Sequence, residues 1–267
     1  MKFLSRAFLL LAFAPLALAD TFLFDDPADL DRFNVQVSGN QTGTAADYTA
    51  TGGLAGSGAV QMNPAYVNQS WIAQNGLVFA PGVDFTVSAF LKLDSYAGIG
   101  FTSDANAATG ALYPDHSIMF GISGTAQFLD LNSTGTDSAG DEGFWDSSGE
   151  LQNIVSSPAA YDVGDWVYLS LSIRFDGSSY TATYSATLSD ANGALGDAIM
   201  EGVQIFGNGG LSSSGMLHPF FYFDGGYSSP TIDTFTAATA AVPEPSTTAL
   251  ILGGAVILCA IIRRRRA

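Results

Sequence analysis

The stretch WVYLSLSIRFDGSSYTATYSATLSDANG, residues 166–193, decides the architecture of this chain. Val167, Leu169, Leu171, Ile173 and Phe175 alternate with Tyr168, Ser170, Ser172 and Arg174, the period of two that marks a strand with one face in a core and one in water. Asp176-Gly177 supplies turn chemistry, after which Tyr180, Ala182, Tyr184, Ala186 and Leu188 alternate with threonines and serines. A long antiparallel hairpin is expected.

The same alternation recurs in DFTVSAFLKLD, residues 84–94, where Phe85, Val87, Ala89, Leu91 and Leu93 share a face opposite Thr86, Ser88 and Lys92. Shorter strands are expected at 21–24, 59–62, 77–79, 99–101, 118–122, 126–131, 220–223 and 231–235. The run Phe220-Phe221-Tyr222-Phe223 reads as a buried strand, turned by Asp224-Gly225-Gly226 toward the last one. Gly, Asn, Asp and Ser punctuate nearly every gap, and no long 3.6-residue period occurs outside the two ends. Many short strands without helices mean an all-β sandwich or barrel.

The N-terminal end, MKFLSRAFLLLAFAPLALA, reads as a secretory signal peptide over residues 1–19. Lys2 and Arg6 form its charged region, Ala7 to Ala14 its apolar region and Ala17-Leu18-Ala19 its cleavage site. The alternative, an uncleaved anchor, is disfavoured by the shortness of the apolar stretch and by Pro15. The expected mature domain, from Asp20, holds Arg32, Lys92 and Arg174 against 24 acidic residues, a formal charge of -21. Such a domain is repelled by phosphate backbones, which argues against a nucleic-acid partner. The single cysteine, Cys259, lies in the C-terminal apolar run, so the domain has no disulfide, thiol nucleophile or Cys-ligated metal.

The C-terminal end, residues 241–267, is AVPEPSTTALILGGAVILCAIIRRRRA. Pro243 and Pro245 bar regular structure and hold Glu244 extended. The run 247–262 has 16 residues, about 24 Å as a transmembrane helix against a hydrocarbon core of about 30 Å, short but able to span with snorkelling arginines. Arg263, Arg264, Arg265 and Arg266 form a stop-transfer cluster that stays cytoplasmic, so the acidic domain faces outward. Composition alone fits a plain anchor on a proline-rich stalk.

The ending TIDTFTAA followed by VPEPSTTALILGGAVILCAIIRRRRA resembles the close of bacterial PEP-CTERM proteins, whose ectodomains are often concanavalin A-like or laminin G-like jelly rolls. TFLFDD, FTVSAFLKLD and WVYLSLSIRFDG are also similar to segments of that group. The resemblance implies an antiparallel jelly-roll β-sandwich over residues 20–240, followed by a sorting signal over 241–267. It also implies an exosortase-type enzyme that cuts near Pro243-Glu244-Pro245, a transient inner-membrane anchor, and delivery to the cell surface or to extracellular polysaccharide.

Catalytic patterns are scarce. Some jelly rolls of this superfamily hydrolyse glycans with two carboxylates facing one sugar, but the domain's glutamates, Glu142, Glu150 and Glu201, do not fall in a same-face strand pattern. His116 and His218 are the only histidines and no Gly-x-Ser-x-Gly elbow accompanies them. Each is expected to make local hydrogen bonds. A glycoside hydrolase therefore stands as the alternative, and no catalytic residue is assigned.

The segment 130–150, DLNSTGTDSAGDEGFWDSSGE, reads as an acidic loop. Asp141, Glu142 and Asp146 are candidate calcium ligands, and Phe144 and Trp145 candidate platforms for a sugar ring. The plain alternative is a solvated loop with Trp145 packed down as its anchor, since no EF-hand spacing is present. Trp71 and Trp166 read as structural. The sequence thus predicts an exported β-sandwich with an adhesive, structural or glycan-binding role.

Overall fold

The computed structural model describes residues 18–37, 46–62, 68–92, 96–103, 105, 116–122, 127–132, 142–146, 161–207, 211, 215–224 and 230–241. In chain order its strands are β1 (Leu18–Phe22), β2 (Phe33–Val37), β3 (Ala46–Thr49), β4 (Ala59–Met62), β5 (Asn68–Ala73), β6 (Leu77–Val78), β7 (Val83–Lys92) and β8 (Tyr96–Thr102). They continue with β9 (Ser117–Ile122), β10 (Gln127–Asn132), β11 (Glu142–Asp146), β12 (Trp166–Phe175), β13 (Ser179–Ser189), β14 (Leu195–Gly207), β15 (Met216–Asp224) and β16 (Thr231–Ala241). Two short 3-10 turns, Pro27–Arg32 and Leu54–Gly56, are the helical elements among the described residues.

The strands form two antiparallel sheets packed face to face. Sheet A runs β14-β13-β12-β7-β16-β4-β3, with β1 also on β16; sheet B runs β11-β10-β9-β8-β15-β5-β2, with β6 on β15. The fold is the all-β antiparallel sandwich that the alternating segments predict.

The hairpin is β12 and β13, in register from Trp166↔Ser189 to Phe175↔Tyr180. The Asp176 carboxylate closes its turn by accepting from the Ser178 and Ser179 amides, both at 2.8 Å, and from their hydroxyls. Gly177 sits there at φ 107°, where a side chain would be strained. The expected inward set of β12, Val167 to Phe175 at every second position, is buried, as are Phe85, Val87, Ala89 and Leu91 on β7. Leu93 lies outside the described residues.

Sheet B differs from a strand layer with one wet face. All six residues of β9 are buried, and β15 divides its aromatics between two cores. Phe221 and Phe223 enter the inter-sheet core, while Phe220 and Tyr222 join Ile72 and Met119 in a second cluster on the other face. Gly98 and Gly100 on β8 make room for it: a Cβ on Gly100 would stand 2.7 Å from the Phe220 ring, and one on Gly98 3.0 Å from the Met119 sulfur.

In the main core Phe221 stacks on Trp71 at 5.8 Å and meets Phe24, Phe33 and Phe235 edge to face. Each such fully buried side chain contributes about 1.5–3 kcal/mol, with a further increment for aromatic geometry. Trp71 Nε1 donates to Gln69 Oε1 at 3.0 Å, and Trp166 is buried at the start of β12. Both tryptophans are structural, as read from the sequence.

Candidate functional site

The acidic segment 130–150 is not loop throughout. Residues 142–146 form β11, antiparallel to β10, with Gln127↔Asp146, Phe128↔Trp145, Leu129↔Phe144, Asp130↔Gly143 and Leu131↔Glu142. The two adjacent aromatics, which suit a pleated surface, outweigh the flanking Asp, Gly and Ser that suggest a turn. Phe144 and Trp145 therefore belong to the edge strand of sheet B. Asp141 and the remainder of the segment, 133–140 and 147–150, lie outside the described residues, as do the side-chain roles suggested for Glu142, Phe144, Trp145 and Asp146.

Three of the acids whose side chains are described, Asp176, Asp190 and Asp233, hold turns in place. Asp190 accepts from the Asn192 and Ala194 amides at 2.8 and 2.9 Å, closing the turn between β13 and β14. These amide donors hold its carboxyl below the ordinary value. Asp233, only 1% exposed, accepts from the Leu54 amide at 2.8 Å and the Ser57 hydroxyl at 2.9 Å through Oδ2, and from the Thr234 hydroxyl at 3.0 Å through Oδ1. Its Oδ2 is taken up by the turn 53–57 and its Oδ1 by the neighbouring Thr234. Sequence patterning gives no signal for this clasp, because Asp233 reads as an ordinary polar position in an alternating strand.

The two histidines are separated in role. His116 is exposed with φ 49°, and its carbonyl accepts from the Ser103 amide at 3.1 Å. His218, 7% exposed, lies in β15 with Nδ1 2.9 Å from the Ala73 carbonyl. A carbonyl only accepts, so Nδ1 carries the proton, and the ring ties β15 to the end of β5. Among the described residues no group of three or more His, Cys, Asp or Glu gathers to hold a metal.

The C-terminal signal adjoins the sandwich directly. β16 lies inside sheet A and its last pair is Ala241↔Val83, so Pro243 follows two residues after the ladder ends. β1 runs antiparallel to β16 from Leu18↔Thr239 to Phe22↔Phe235. The start of the described chain and its end thus share one pole of the sheet. The expected mature start, Asp20, falls inside β1, and cleavage there would leave the pairs Asp20↔Ala237, Thr21↔Thr236 and Phe22↔Phe235.

Pro243, Glu244, Pro245, the run 247–262 and Arg263 to Arg266 lie outside the described residues, as do residues 1–17 of the expected signal peptide. Among the described residues no helix is long and apolar enough to cross a membrane.

The chain has no match among curated proteins. Its fold is similar to that of two plant lectins. A peanut lectin structure with a 9mer peptide matches at a TM-score of 0.51 and 12% identity, covering 85% of this chain and 99% of that one. The basic winged bean lectin with Tn-antigen matches at a TM-score of 0.50 and 7% identity, covering 84% and 99%. Residues 241–266 match the model of the PEP-CTERM protein-sorting motif. The chain therefore carries a PEP-CTERM sorting motif, the mark of an exported protein, behind a two-sheet sandwich of lectin-like fold.

Proposed function

We propose that this protein is exported through its N-terminal signal peptide, held briefly in the inner membrane by residues 247–262, and cut near Pro243-Glu244-Pro245 by an exosortase-type enzyme. It then acts at the cell surface or in extracellular polysaccharide as a non-catalytic, glycan-binding adhesive module. The observation that carries the reading is the sorting motif at 241–266, starting at the last residue of β16. Cleavage anywhere C-terminal to Ala241 would leave every pair of β16 intact, so processing releases a whole sandwich.

The glycan-binding part is supported by the likeness to a peanut lectin and to a winged bean lectin bound to Tn-antigen, a likeness of fold to which many activities are compatible. Calcium at Asp141, Glu142 and Asp146 belongs to this proposal, as does stacking of a sugar on Phe144 or Trp145.

The C-terminus of the protein recovered from the cell exterior tests the sorting half. A mass ending between Ala241 and Thr247 supports it, and a mass that includes Arg263 to Arg266 overturns it. A glycan array run with and without calcium tests the binding half, which fails if no glycan is retained under either condition.

A further inference from the structure

The outer face of sheet A carries aligned rows of hydroxyls that no single segment of the sequence displays. One row crosses six strands: Glu201 on β14, Ser185 on β13, Ser170 on β12, Ser88 on β7, Thr236 on β16 and Thr21 on β1. The next sets Val203, Thr183, Ser172, Thr86 and Ala238 side by side. Here Thr86 Oγ1 donates to Ser172 Oγ at 3.0 Å. Most of these positions are half-buried or exposed, as expected on a wet sheet face, with Ser88 at the centre 8% exposed.

A wall bounds the rows on one side. Tyr168 and Phe90 stand opposite one another with ring centroids 4.8 Å apart, both half-buried. Behind them the turn 53–57 and the turn after β13 are joined by the Ala55 amide and the Ala191 carbonyl at 2.6 Å. A Cβ at Gly193 would lie 3.5 Å from Leu54 and 4.0 Å from Phe90, so Leu54 and Gly193 back the aromatic pair. Asp233 pins the same turn to the sheet.

Charge sets the face apart from the rest of the domain. In a domain of formal charge -21, the two central rows contain one ionisable group, Glu201 on the edge strand. Arg174 pairs in register with Asp84 beyond the second row, and Lys92 stands beyond the wall. A face for an anionic polymer would gather cations. This one offers neutral hydroxyls beside aromatic rings, the combination that hydrogen-bonds and stacks on sugars.

Adjacent strands lie about 4.8 Å apart, so the six-strand row spans about 24 Å. That spacing is of the same order as the advance per pyranose unit in an extended glycan chain. We infer that an uncharged, extended polysaccharide lies across the strands of sheet A along the Glu201–Thr21 row, with sugar rings against Tyr168 and Phe90. This deepens the glycan-binding reading and rests on it: it names the face and the substrate class.

The test is co-sedimentation of the detergent-solubilised full chain with microcrystalline cellulose as the neutral extended probe and with alginate as the anionic one. Ser170→Asp and Thr183→Glu place charge in the two rows, and Tyr168→Ala removes a ring. Val163→Asp, at an exposed position in the turn before β12 and in neither row, is the control. Thermal melts identify any variant that fails to fold, and Thr183→Glu, at an exposed position, keeps the test decisive if Ser170→Asp is lost.

The expected result is retention of wild type and Val163→Asp on cellulose, at least tenfold weaker retention of the folded face variants, and none on alginate. Face variants that bind as wild type overturn the face while leaving glycan binding standing. Retention on alginate equal to that on cellulose overturns the substrate class. If no polysaccharide and no arrayed glycan is retained, both this inference and the reading beneath it fall.

Discussion

Leu54 and Asp233, 179 positions apart in the chain, are joined by a 2.8 Å hydrogen bond from the Leu54 amide to the Asp233 carboxylate. Together with the Ser57 hydroxyl on the same oxygen, this contact fastens the turn 53–57 onto sheet A, and with it the backing of the Phe90 and Tyr168 wall. Asp233 sits where the β16·β7 register shifts, between Asp233 and Thr236. Thr234 adopts φ 48° there, the sort of local irregularity by which a bulge re-aims a side chain.

Asp233→Ala leaves the Leu54 amide and the Ser57 hydroxyl without their shared acceptor. Hydrogen bonds to a charged group are each worth about 1.5–3 kcal/mol, so a loss of about 3 kcal/mol in urea unfolding is expected. Asp233→Asn, which retains an acceptor oxygen, should lose less than half of that. Equal losses would show that the clasp depends on charge and not on acceptor count.

Gly100→Ala tests the second core of sheet B. The added methyl meets the Ile118 carbonyl and the Phe220 ring, and overpacking of this kind costs about 1–3 kcal/mol. The double variant Gly100→Ala/Phe220→Leu should recover part of the loss, because the ring is the movable partner. A fall in the midpoint of denaturant unfolding that the double variant does not reduce would place the clash on the Ile118 backbone.

Asp176 makes the hairpin turn sensitive only to strong acid. The Ser178 and Ser179 donors hold its carboxyl well below the usual carboxylate range. Its folded-state value is thus depressed relative to the unfolded one. Its stabilising effect is complete above about pH 4, the ordinary aspartate value, and is lost as pH falls through the folded value. A carboxyl carbon-13 titration should find Asp176 ionised after most other aspartates have protonated, and Asp176→Asn should remove that late step.

Tyr180 sets an alkaline limit. Burial among Phe79 and Phe175 pushes its hydroxyl up from the ordinary tyrosine value to about 12. The folded state holds the proton more tightly than the unfolded chain. Stability is therefore undiminished below pH 10 and falls as pH rises through 12. Burial raises the Tyr184 hydroxyl as well, so ultraviolet titration should show late-ionising phenols whose amplitude falls by one tyrosine in Tyr180→Phe, and the unfolding midpoint of that variant should vary less between pH 10 and 12.

Legibility in the sequence follows burial pattern. The β12 and β13 hairpin is read correctly because one face is apolar, the other hydroxylic, and Asp176-Gly177 marks the turn. β4 is read to the residue, and the cores of β7, β9, β10, β15 and β16 are found with their ends shifted. β5 escapes because NQSWIA opens with polar residues, yet Gln69 and Ser70 are fully buried. β3 (ADYT) is a short strand without a clear alternation, whereas β2 (FNVQV) does alternate apolar and polar residues over its five positions and is legible although it is not among the expected strands. β14 escapes because Gly196 and Gly202 interrupt the pattern and because its pairing with β13 slips between Ala186 and Ser189. β11 escapes because its two aromatics are set among turn-forming residues.

The sequence by itself determined the all-β sandwich, the acidic and cysteine-free character of its domain, and the sorting motif at 241–266. These are properties of single segments or of composition, and a local period of two records which residues share a face. Only the tertiary structure decided that the central strands β9 and β15 of sheet B are buried on both faces, that Asp233 closes a turn 179 residues away, and that Ser88 stands beside both Ser170 and Thr236. Those relations depend on the register between strands distant in the chain, which the packing of two sheets sets and which no local pattern encodes.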